Sequence, residues 1–353
     1  MNPGEENHAR FQPGQRAGHY ESFFLRANHP SRPLAFWIRY TLYSPAGRAD
    51  AGLGELWAVF FDGEAGAHVA VKREVPIARA HFDRHAFAVS VDDARLDAAG
   101  LTGAIEAGDA GRDGGPSRHR IAWEMRYRGD PTPLLLFPRS LYETRLPRAK
   151  SLVGVPLATF DGELRVDGRV VDVGGWVGSQ NHNWGSQHTD HYAWGQVAGF
   201  DTHPGSFLEI ATARLRLGPV WTPFMTPVVL RHEGREHVAN TPIALLHNQG
   251  SFDDSSRTPV DVGASVTWRF RFETEELRAS GYLAADLADF VTLTYLNPPG
   301  GTKRCLNSKI ASASLTLVHK VGPRRGAVDD LFARRRAAFE ILSDEPGSAL
   351  ASG

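Results

Sequence analysis

Apolar and polar residues alternate along much of this chain. The segments 35–43, 121–128 and 266–272 each place every second residue, mostly apolar, on one side. A period of two sustained over roughly six to nine residues is the pattern of half-buried β-strands. Further segments with strand character are 53–61, 68–73, 85–91, 163–173, 207–217, 291–296 and 315–321. The pattern therefore predicts an all-β protein.

Short turn sequences separate several of these segments. They contain Asp-Gly or Pro-Gly-Gly, and such residues tolerate the positive φ that tight turns require. The turn candidates are Asp62-Gly63, Asp161-Gly162, Asp167-Gly168 and Pro299-Gly300-Gly301. Many short strands joined by such turns are typical of β-barrels and sandwiches.

One segment near the end of the printed sequence has helical spacing instead. Its apolar stripe predicts a helix within 326–353 that covers a sheet or barrel edge. In this helix Arg334, Arg335 and Arg336 would mostly face water. The stripe consists of Val328, Leu331, Phe332, Phe339 and Leu342.

Five prolines between residues 131 and 159 interrupt any regular ladder of hydrogen bonds, so we place a domain boundary there. We expect an N-terminal β domain at 1–150, a second β domain at 151–325, and the helix with its tail at 326–353. No strong internal repeat relates the two halves.

Composition narrows the choice of partner. The 353 residues include 39 Lys and Arg against 40 Asp and Glu, and the formal net charge is −1. This balance provides no global field to attract a polyanion, which argues against a nucleic-acid-binding protein. Hydrophobic residues make up 42%, enough to bury a core.

The single cysteine, Cys305, excludes an internal disulfide and any zinc site that needs two thiolates of this chain. The first residues are polar and lack the apolar core of a signal peptide, and no run approaches the roughly 20 apolar residues of a membrane span. These features predict a soluble, cytoplasmic protein without a transmembrane segment. The motifs of nucleophilic hydrolases, phosphate-binding loops and dinucleotide folds are missing from the sequence, so we expect no cofactor.

The run from Gly175 to Gln196 is the densest in functional residue types, with three His and three Trp. In an extended segment His182 and Trp184 share one side with Gln180. If residues 191–201 form a strand, then Tyr192, Trp194 and Gln196 share a face as well.

This run resembles a known signature. "G-S-Q-N-H-N-W-G" (178–185) followed by "Y-A-W-G-Q" (192–196) is similar to the His/Asn-Trp-Gly and aromatic-x-Trp-x-Gln pattern of hydroxyneurosporene synthase (carotenoid 1,2-hydratase), tocopherol cyclase and the AttH-like proteins. Supporting context comes from "P-L-A-F-W-I-R-Y-T-L" (33–42), "G-E-L-W-A-V-F-F-D" (54–62) and "G-E-L-R-V-D-G-R" (162–169).

The resemblance implies two tandem lipocalin-like β-barrel domains with a pocket for an apolar molecule. It also implies acid-promoted chemistry, either hydration of an isoprenoid double bond or ring closure of a prenylquinol. The sequence departs from the hydratase pattern at Asn181-His182-Asn183, where a triplet containing Asp is the closer match.

Protonation of an isolated alkene needs a strong acid in a water-poor pocket and aromatic faces that stabilise a carbocation. The acid candidates are His182, Asp190 and Glu124, and His182 qualifies only if a carboxylate lies close, because burial disfavours the imidazolium. The predicted substrate contacts are Trp184, Tyr192, Trp194, Gln196, Asn183 and Trp176.

Each of these residues also has a purely structural interpretation. His182 could be a buried histidine satisfied by hydrogen bonds, and the tryptophans could simply fill a barrel interior. The spacing of His182, His188, Asp190 and His191 matches no standard zinc motif, so we expect no metal.

The leading hypothesis is a cofactor-independent hydratase, cyclase or isomerase that acts on an apolar isoprenoid or polyene-like molecule. The alternative is a non-catalytic carrier with the same cavity, in which Tyr192 and Gln196 orient the ligand. A carbohydrate-processing β-sandwich is a third possibility, and it would need paired carboxylates across an open groove.

Overall fold

A computed structural model describes residues 4–108, 118–252 and 264–343. Nearly all regular structure in these residues is antiparallel β-sheet, so the all-β prediction is confirmed. The chain divides into two compact units. Unit 1 comprises Met1–Leu135, Arg139–His188 and Leu293–Lys303, and unit 2 comprises Leu136–Pro138, Thr189–Thr292 and Arg304–Gly353.

Unit 1 is built on one large sheet. Its strands are β1 (His19–Asn28), β2 (Leu34–Ser44), β3 (Leu53–Asp62), β4 (Ala67–Pro76), β5 (Ala80–Phe82), β6 (Ala88–Val91), β7 (Ala94–Asp97), β8 (Gly100–Gly108), β9 (Arg118–Arg128), β10 (Leu134–Leu135), β11 (Ala149–Val166), β12 (Arg169–Asp172) and β13 (Trp176–Gly185). Short 3-10 helices lie at Ala49–Ala51, Ile77–Arg79 and Arg139–Glu143. The strand order is β4-β3-β2-β1-β13-β11-β9-β8-β7-β6-β5, with β10 and β12 also paired to β11.

The alternation in the sequence explains the core of unit 1. On β2, Phe36, Ile38 and Tyr40 point to the core face together with Leu42, and their partners from β1 include Phe23 and Leu25. Strand β13 is far from β1 in the sequence, but it lies between β1 and β11 in the sheet. This placement brings the His/Trp-rich segment against the first strand of the chain.

Unit 2 contains the second sheet and a short helix. Its elements are β14 (His191–Ala198), β15 (Phe207–Arg214), β16 (Arg216–Leu217), β17 (Val220–Trp221), β18 (Val228–His232), β19 (Arg235–Ala239), α1 (Pro242–His247), β20 (Gln249–Phe252), β21 (Ser265–Glu273), β22 (Leu277–Asp286), a 3-10 helix (Leu287–Asp289), β23 (Val291–Leu296), β24 (Thr302–His319) and β25 (Val328–Ser343). The chain passes between the units within β23 and β24. The strand order is β19-β18-β15-β14-β25-β24-β22-β21-β20, with β23 paired to β24 and a separate β16-β17 hairpin.

The predicted C-terminal helix is wrong, because residues 328–343 form strand β25, which pairs with both β14 and β24. Leu331, Ala333 and Phe339 alternate into the core of unit 2, whereas Val328 and Phe332 are exposed. Arg335 has a φ of 54° where the register with β24 shifts. This irregularity, together with small alanines at core positions, hid the period of two.

The turn predictions had two different outcomes at neighbouring Asp-Gly pairs. Asp167 and Gly168 have φ values of 50° and 87° and connect β11 to β12 as a tight turn. Asp161 and Gly162 instead lie inside the long strand β11, where Gly162 has a φ of 127° and a Cβ would lie 2.3 Å from the Glu124 carbonyl oxygen. The glycine is therefore needed for close strand approach rather than for chain reversal.

Each sheet is an open path of strands in the described residues, since the two ends of each order are not hydrogen-bonded to each other. Each unit nevertheless encloses its own apolar core. The lipocalin-like barrel closure expected from the sequence stays a prediction.

Candidate functional site

The central residue of the candidate site is His182, in the middle of β13. Its neighbour across the sheet on β1 is Phe23, which belongs to the core of unit 1, so the imidazole is directed to the core face. The side chain is fully buried. Trp184 lies two residues further along and faces the same way, as the sequence pattern predicted.

A carboxylate that the sequence analysis missed lies beside this histidine. Glu21 is also fully buried, and its Oε1 lies 2.8 Å from His182 Nε2. His19, on the same face of β1, places its Nε2 3.3 Å from Glu21 Oε2. The condition set for His182, a carboxylate close by, is therefore met by Glu21 and not by Asp190 or Glu124.

The carboxylate of Glu21 has several hydrogen-bond partners. Besides the two histidines, the backbone N–H of Arg10 donates to Oε1 at 2.7 Å and that of Phe11 donates to Oε2 at 2.8 Å. Four donors around two oxygens favour the ionised form. Burial by itself raises the pKa of Glu21, but the hydrogen bonds from His182 and His19 more than offset this and lower it to about 2.

Burial lowers the pKa of His182 below its ordinary value, and the hydrogen bond to Glu21 opposes this only in part. At neutral pH the pair is thus a carboxylate and a neutral imidazole that donates its Nε2–H. The other ring nitrogen, Nδ1, is buried and has no hydrogen-bond partner among the residues that the structure describes. The structure therefore fixes one side of the ring and leaves the other side ready to hold or accept a proton.

Aromatic rings surround the imidazole. Phe23 stacks on it with ring centroids 3.9 Å apart and an interplanar angle of 15°, and the Trp184 ring lies 4.5 Å away. Phe23 in turn contacts Phe82 and Phe87. Such faces stabilise positive charge near Nδ1. We refer to His182, Glu21, His19, Phe23 and Trp184 as the His182 group.

An N-terminal segment, residues 6–11, packs over this group. Asn7 Nδ2 donates to Gln180 Oε1 at 2.6 Å, and the Arg10 guanidinium lies 5.4 Å from the Trp184 ring centroid. Gly154 permits this packing, because a Cβ there would lie 2.1 Å from Gln180 Oε1. The segment also supplies the two backbone N–H groups that hold Glu21.

The second half of the sequence motif lies in unit 2. On β14, Trp194 Nε1 and Gln196 Nε2 donate to the two oxygens of buried Glu209, each at 2.8 Å. These side chains share a face, as predicted, but it is the face opposite the core of unit 2, which holds Ala193 and Val197.

A buried lysine lies on that same face. Lys309 Nζ donates to Glu340 Oε1 at 2.8 Å and to Asn307 Oδ1 at 2.7 Å, and it lies 5.3 Å from the Trp194 ring centroid. Asn307 Nδ2 also donates to Glu340 Oε1. Tyr192 lies near Cys305, with 3.7 Å between the hydroxyl oxygen and Sγ. We refer to Lys309, Glu340, Asn307, Trp194, Gln196 and Glu209 as the Lys309 group.

The other predicted site residues lie apart from the His182 group. Glu124 is exposed on β9. Asp190 is buried in unit 2 and accepts the backbone N–H of Arg216. Asn183 lies on the opposite face of β13 from His182, and its buried Oδ1 has no hydrogen-bond partner among the described residues. Trp176 packs in the core of unit 1, where it also borders a cleft of about 290 Å³ lined by His29, Arg32 and Arg169 among others.

The four residues weighed as metal ligands are divided between the units: His182 and His188 belong to unit 1, and Asp190 and His191 belong to unit 2. A different cluster in unit 2 brings together His232, Glu233 and Asp329. Arg324 already bridges its two carboxylates at 2.5 and 2.6 Å, so a cation of the protein itself balances their charge.

Solved structures share the fold of this chain. The protein NE1406 of Nitrosomonas europaea, assigned to AttH, superposes with a TM-score of 0.55 at 14% identity, over 99% of this chain and 98% of that one. This chain has the AttH-like fold. Kievitone hydratase from Nectria haematococca shares it, with a TM-score of 0.51 at 10% identity, over 97% and 93% of the two chains. The resemblance predicted from residues 178–196 is thus confirmed at the level of the fold.

Two proteins of Mycobacterium tuberculosis match part of this sequence. The uncharacterised protein Rv0493c of Mycobacterium tuberculosis H37Rv is 27% identical over 203 residues, and its counterpart MT0513 in strain CDC 1551 matches equally. The match spans 56% of this chain and about half, 56%, of each relative. No family model matches the sequence. Among the described residues, no helix has both the length and the apolar character needed to cross a membrane.

Proposed function

We propose that this chain is a cofactor-independent enzyme of the hydratase or lyase type. In this proposal it acts on an apolar isoprenoid or polyene-like molecule by acid-promoted hydration, cyclisation or isomerisation. The observation that carries the proposal is the buried Nδ1 of His182, which has no hydrogen-bond partner within the described ranges 4–108, 118–252 and 264–343, while Nε2 is fixed on the ionised Glu21. A proton held at Nδ1 could be delivered to a substrate carbon.

The two pKa shifts favour His182, and not Glu21, as the group that donates the proton. Because the pKa of Glu21 is lowered to about 2, the carboxylate does not take the proton from the imidazolium. Because burial also lowers the pKa of His182, its imidazolium is a stronger acid than an exposed histidine. A strong, oriented acid is what protonation of a double bond requires.

The aromatic faces of Phe23 and Trp184 support the same chemistry. They lie within 4.5 Å of the imidazole, where a carbocation would form after proton transfer. Addition of water to that cation gives hydration, loss of a neighbouring proton gives isomerisation, and attack by a second double bond gives cyclisation. The name of kievitone hydratase favours the first outcome.

We also propose that each unit is a lipocalin-like domain whose strands surround its own core. In this interpretation the apolar substrate enters the interior of unit 1 on the face that carries His182 and Trp184. The segment of residues 6–11 packs over that face and would have to move to admit the substrate.

The test is an incubation of the purified chain with squalene, an acyclic carotenoid and a prenylated phenol, followed by mass spectrometry. A product that has gained one water or a rearranged product is expected with the wild type. His182→Gln is expected to lower turnover by about 10²–10⁴-fold, the usual contribution of acid catalysis. Glu124→Gln is the matched control and should retain turnover. If all three compounds bind and are recovered unchanged, the chain is a carrier instead.

The pH profile tests the direction of proton transfer. If the His182 imidazolium is the acid, kcat/KM rises as the pH falls toward the lowered pKa of His182 and levels off only below that pKa, which lies below the ordinary histidine value of 6.5. A profile that falls over the same interval would mean that the neutral imidazole acts as a base.

A further inference from the structure

One end of unit 2 exposes an unusual set of apolar side chains on two neighbouring loops. The first loop is the β16-β17 hairpin with the residues that follow it, and the second is helix α1. Their exposed side chains are Leu217 at 53%, Val220 at 63%, Phe224 at 40%, Ile243 at 72% and Leu246 at 81%. We call these five residues the apolar tip.

Local structure directs the side chains of α1 outward. Thr241 caps the helix by accepting the backbone N–H of Ala244, and Pro242 occupies its first position. Ala244 packs on the core of unit 2. Ile243 and Leu246 are three residues apart and therefore lie on one helix face, away from that core.

The two loops are held together. Asn248, directly after α1, donates its side-chain amide to the carbonyl oxygens of Thr226 at 2.7 Å and Ala239 at 2.9 Å. Phe224 and Phe252 lie edge to face, with ring centroids 6.0 Å apart. The end of α1 is thus fixed to the segment that follows Phe224.

Cationic groups border the tip. The Arg214 guanidinium lies 4.7 Å from the Trp221 ring centroid and 4.9 Å from that of Phe224, and Arg216 is exposed beside Leu217.

Two described carboxyl-bearing residues that contact residues next to the tip are already engaged. Asp190 is buried and accepts the backbone N–H of Arg216. Glu273, which is hydrogen-bonded through its backbone to Asn248, is paired with Lys320 and Arg278.

We propose that the apolar tip docks on an anionic lipid surface. Isolated exposed apolar residues are common, but large aliphatic and aromatic side chains grouped on two loops and bordered by arginines are typical of interfacial membrane contacts. The arginines would meet the lipid head groups while the five apolar side chains enter the boundary with the acyl chains.

The end of the sheet at the β24-β25 turn offers a matched control. Val321 and Val328 lie around the β24-β25 turn and are 52% and 54% exposed. The Arg324 ion pairs with Glu233 and Asp329 lie at that same end, so the two valines are set among charges of both signs.

The test is flotation of the full chain with vesicles of phosphatidylcholine, alone or mixed with about a third phosphatidylglycerol. Wild type is expected to float with the anionic vesicles, and high salt should release it. Ile243→Ser/Leu246→Ser should lower the partition coefficient at least about tenfold, since each change removes a buried hydrocarbon group. Arg216→Gln should lower it by a smaller factor. Val321→Ser/Val328→Ser should bind like the wild type.

Because all the substituted side chains are exposed, each variant should unfold at the wild-type temperature, and this is checked by circular dichroism. Failure of the wild type to float with anionic vesicles would overturn the proposal. So would equal flotation of Ile243→Ser/Leu246→Ser. A wild-type dimer in size-exclusion chromatography that this double variant converts to a monomer would assign the tip to a second copy of the chain instead.

Discussion

In unit 1, His182 and Trp184 of β13 point to the core face, whereas Trp194 and Gln196 of β14 in unit 2 point away from the core of their unit. His182 consequently lies between Phe23 and Trp184, and one of its ring nitrogens has no hydrogen-bond partner in the described part of the chain. Lys309 instead lies among polar groups that satisfy it, namely Glu340 and Asn307.

Under the proposed function, this difference distinguishes a catalytic group in unit 1 from a structural group in unit 2. A buried polar atom without a partner costs free energy, and such an arrangement is retained mainly where a ligand uses the atom. The hydrogen bonds of the Lys309 group link β14, β15, β24 and β25, which is a structural role. The two groups share one sequence motif but are expected to respond differently to substitution.

The largest expected effect comes from Glu21→Gln. An amide nitrogen cannot accept from the donors that now surround the carboxylate, so we expect a loss of about 3–5 kcal/mol in the free energy of unfolding. Urea unfolding followed by tryptophan fluorescence measures it. Glu124→Gln, at an exposed carboxylate, should change the value by less than about 0.5 kcal/mol. A similar change in the free energy of unfolding for both variants would contradict the central role of Glu21 in the site.

The next effect tests the Lys309 group. Lys309→Met leaves Glu340 buried without its cation and should cost about 3 kcal/mol, whereas Lys309→Met/Glu340→Leu should recover most of this loss. Turnover of the double variant should match the wild type once a substrate is known. A folded double variant without turnover would show that unit 2 also takes part in the chemistry.

A smaller effect separates the two tryptophans of the motif. Trp194→Phe removes the hydrogen bond to buried Glu209 and should cost about 1.5–3 kcal/mol in stability, with kcat unchanged. Trp184→Phe keeps an aromatic face beside His182, so we expect a loss of about 1 kcal/mol or less but a several-fold lower kcat, because indole stabilises a cation better than phenyl. Thermal unfolding and turnover together distinguish the two variants. A lower kcat for Trp194→Phe and a lower stability for Trp184→Phe would contradict the roles given to the two tryptophans.

A further prediction concerns the pH dependence of stability. As the pH falls below 6.5, His182 takes up a proton in the unfolded chain before the folded one, because its folded pKa is lowered, so stability decreases. A second decrease follows below pH 4.5 and continues to about 2, as Glu21 protonates first in the unfolded chain. His182→Gln should flatten the first step, as measured by urea unfolding at several pH values. An unchanged first step would assign it to other histidines.

The sequence predicted much of the fold because strand periodicity is a local property. The alternation in 35–43, 121–128 and 266–272 corresponds to β2, β9 and β21. It failed at 328–343, where alanines at core positions and an irregularity at Arg335 disturbed the period. Pairing between distant strands has no local signal, so the order of the sheets could not be predicted.

The same limit applies to the candidate site. Composition alone marked the region of residues 175–196, and its spacing correctly predicted that His182 and Trp184 share a face. Glu21 was missed because 161 residues separate it from His182, and nothing in the first strand distinguishes it from an ordinary carboxylate. Only the pairing of β1 with β13, driven by burial of two apolar strand faces, places the two side chains 2.8 Å apart.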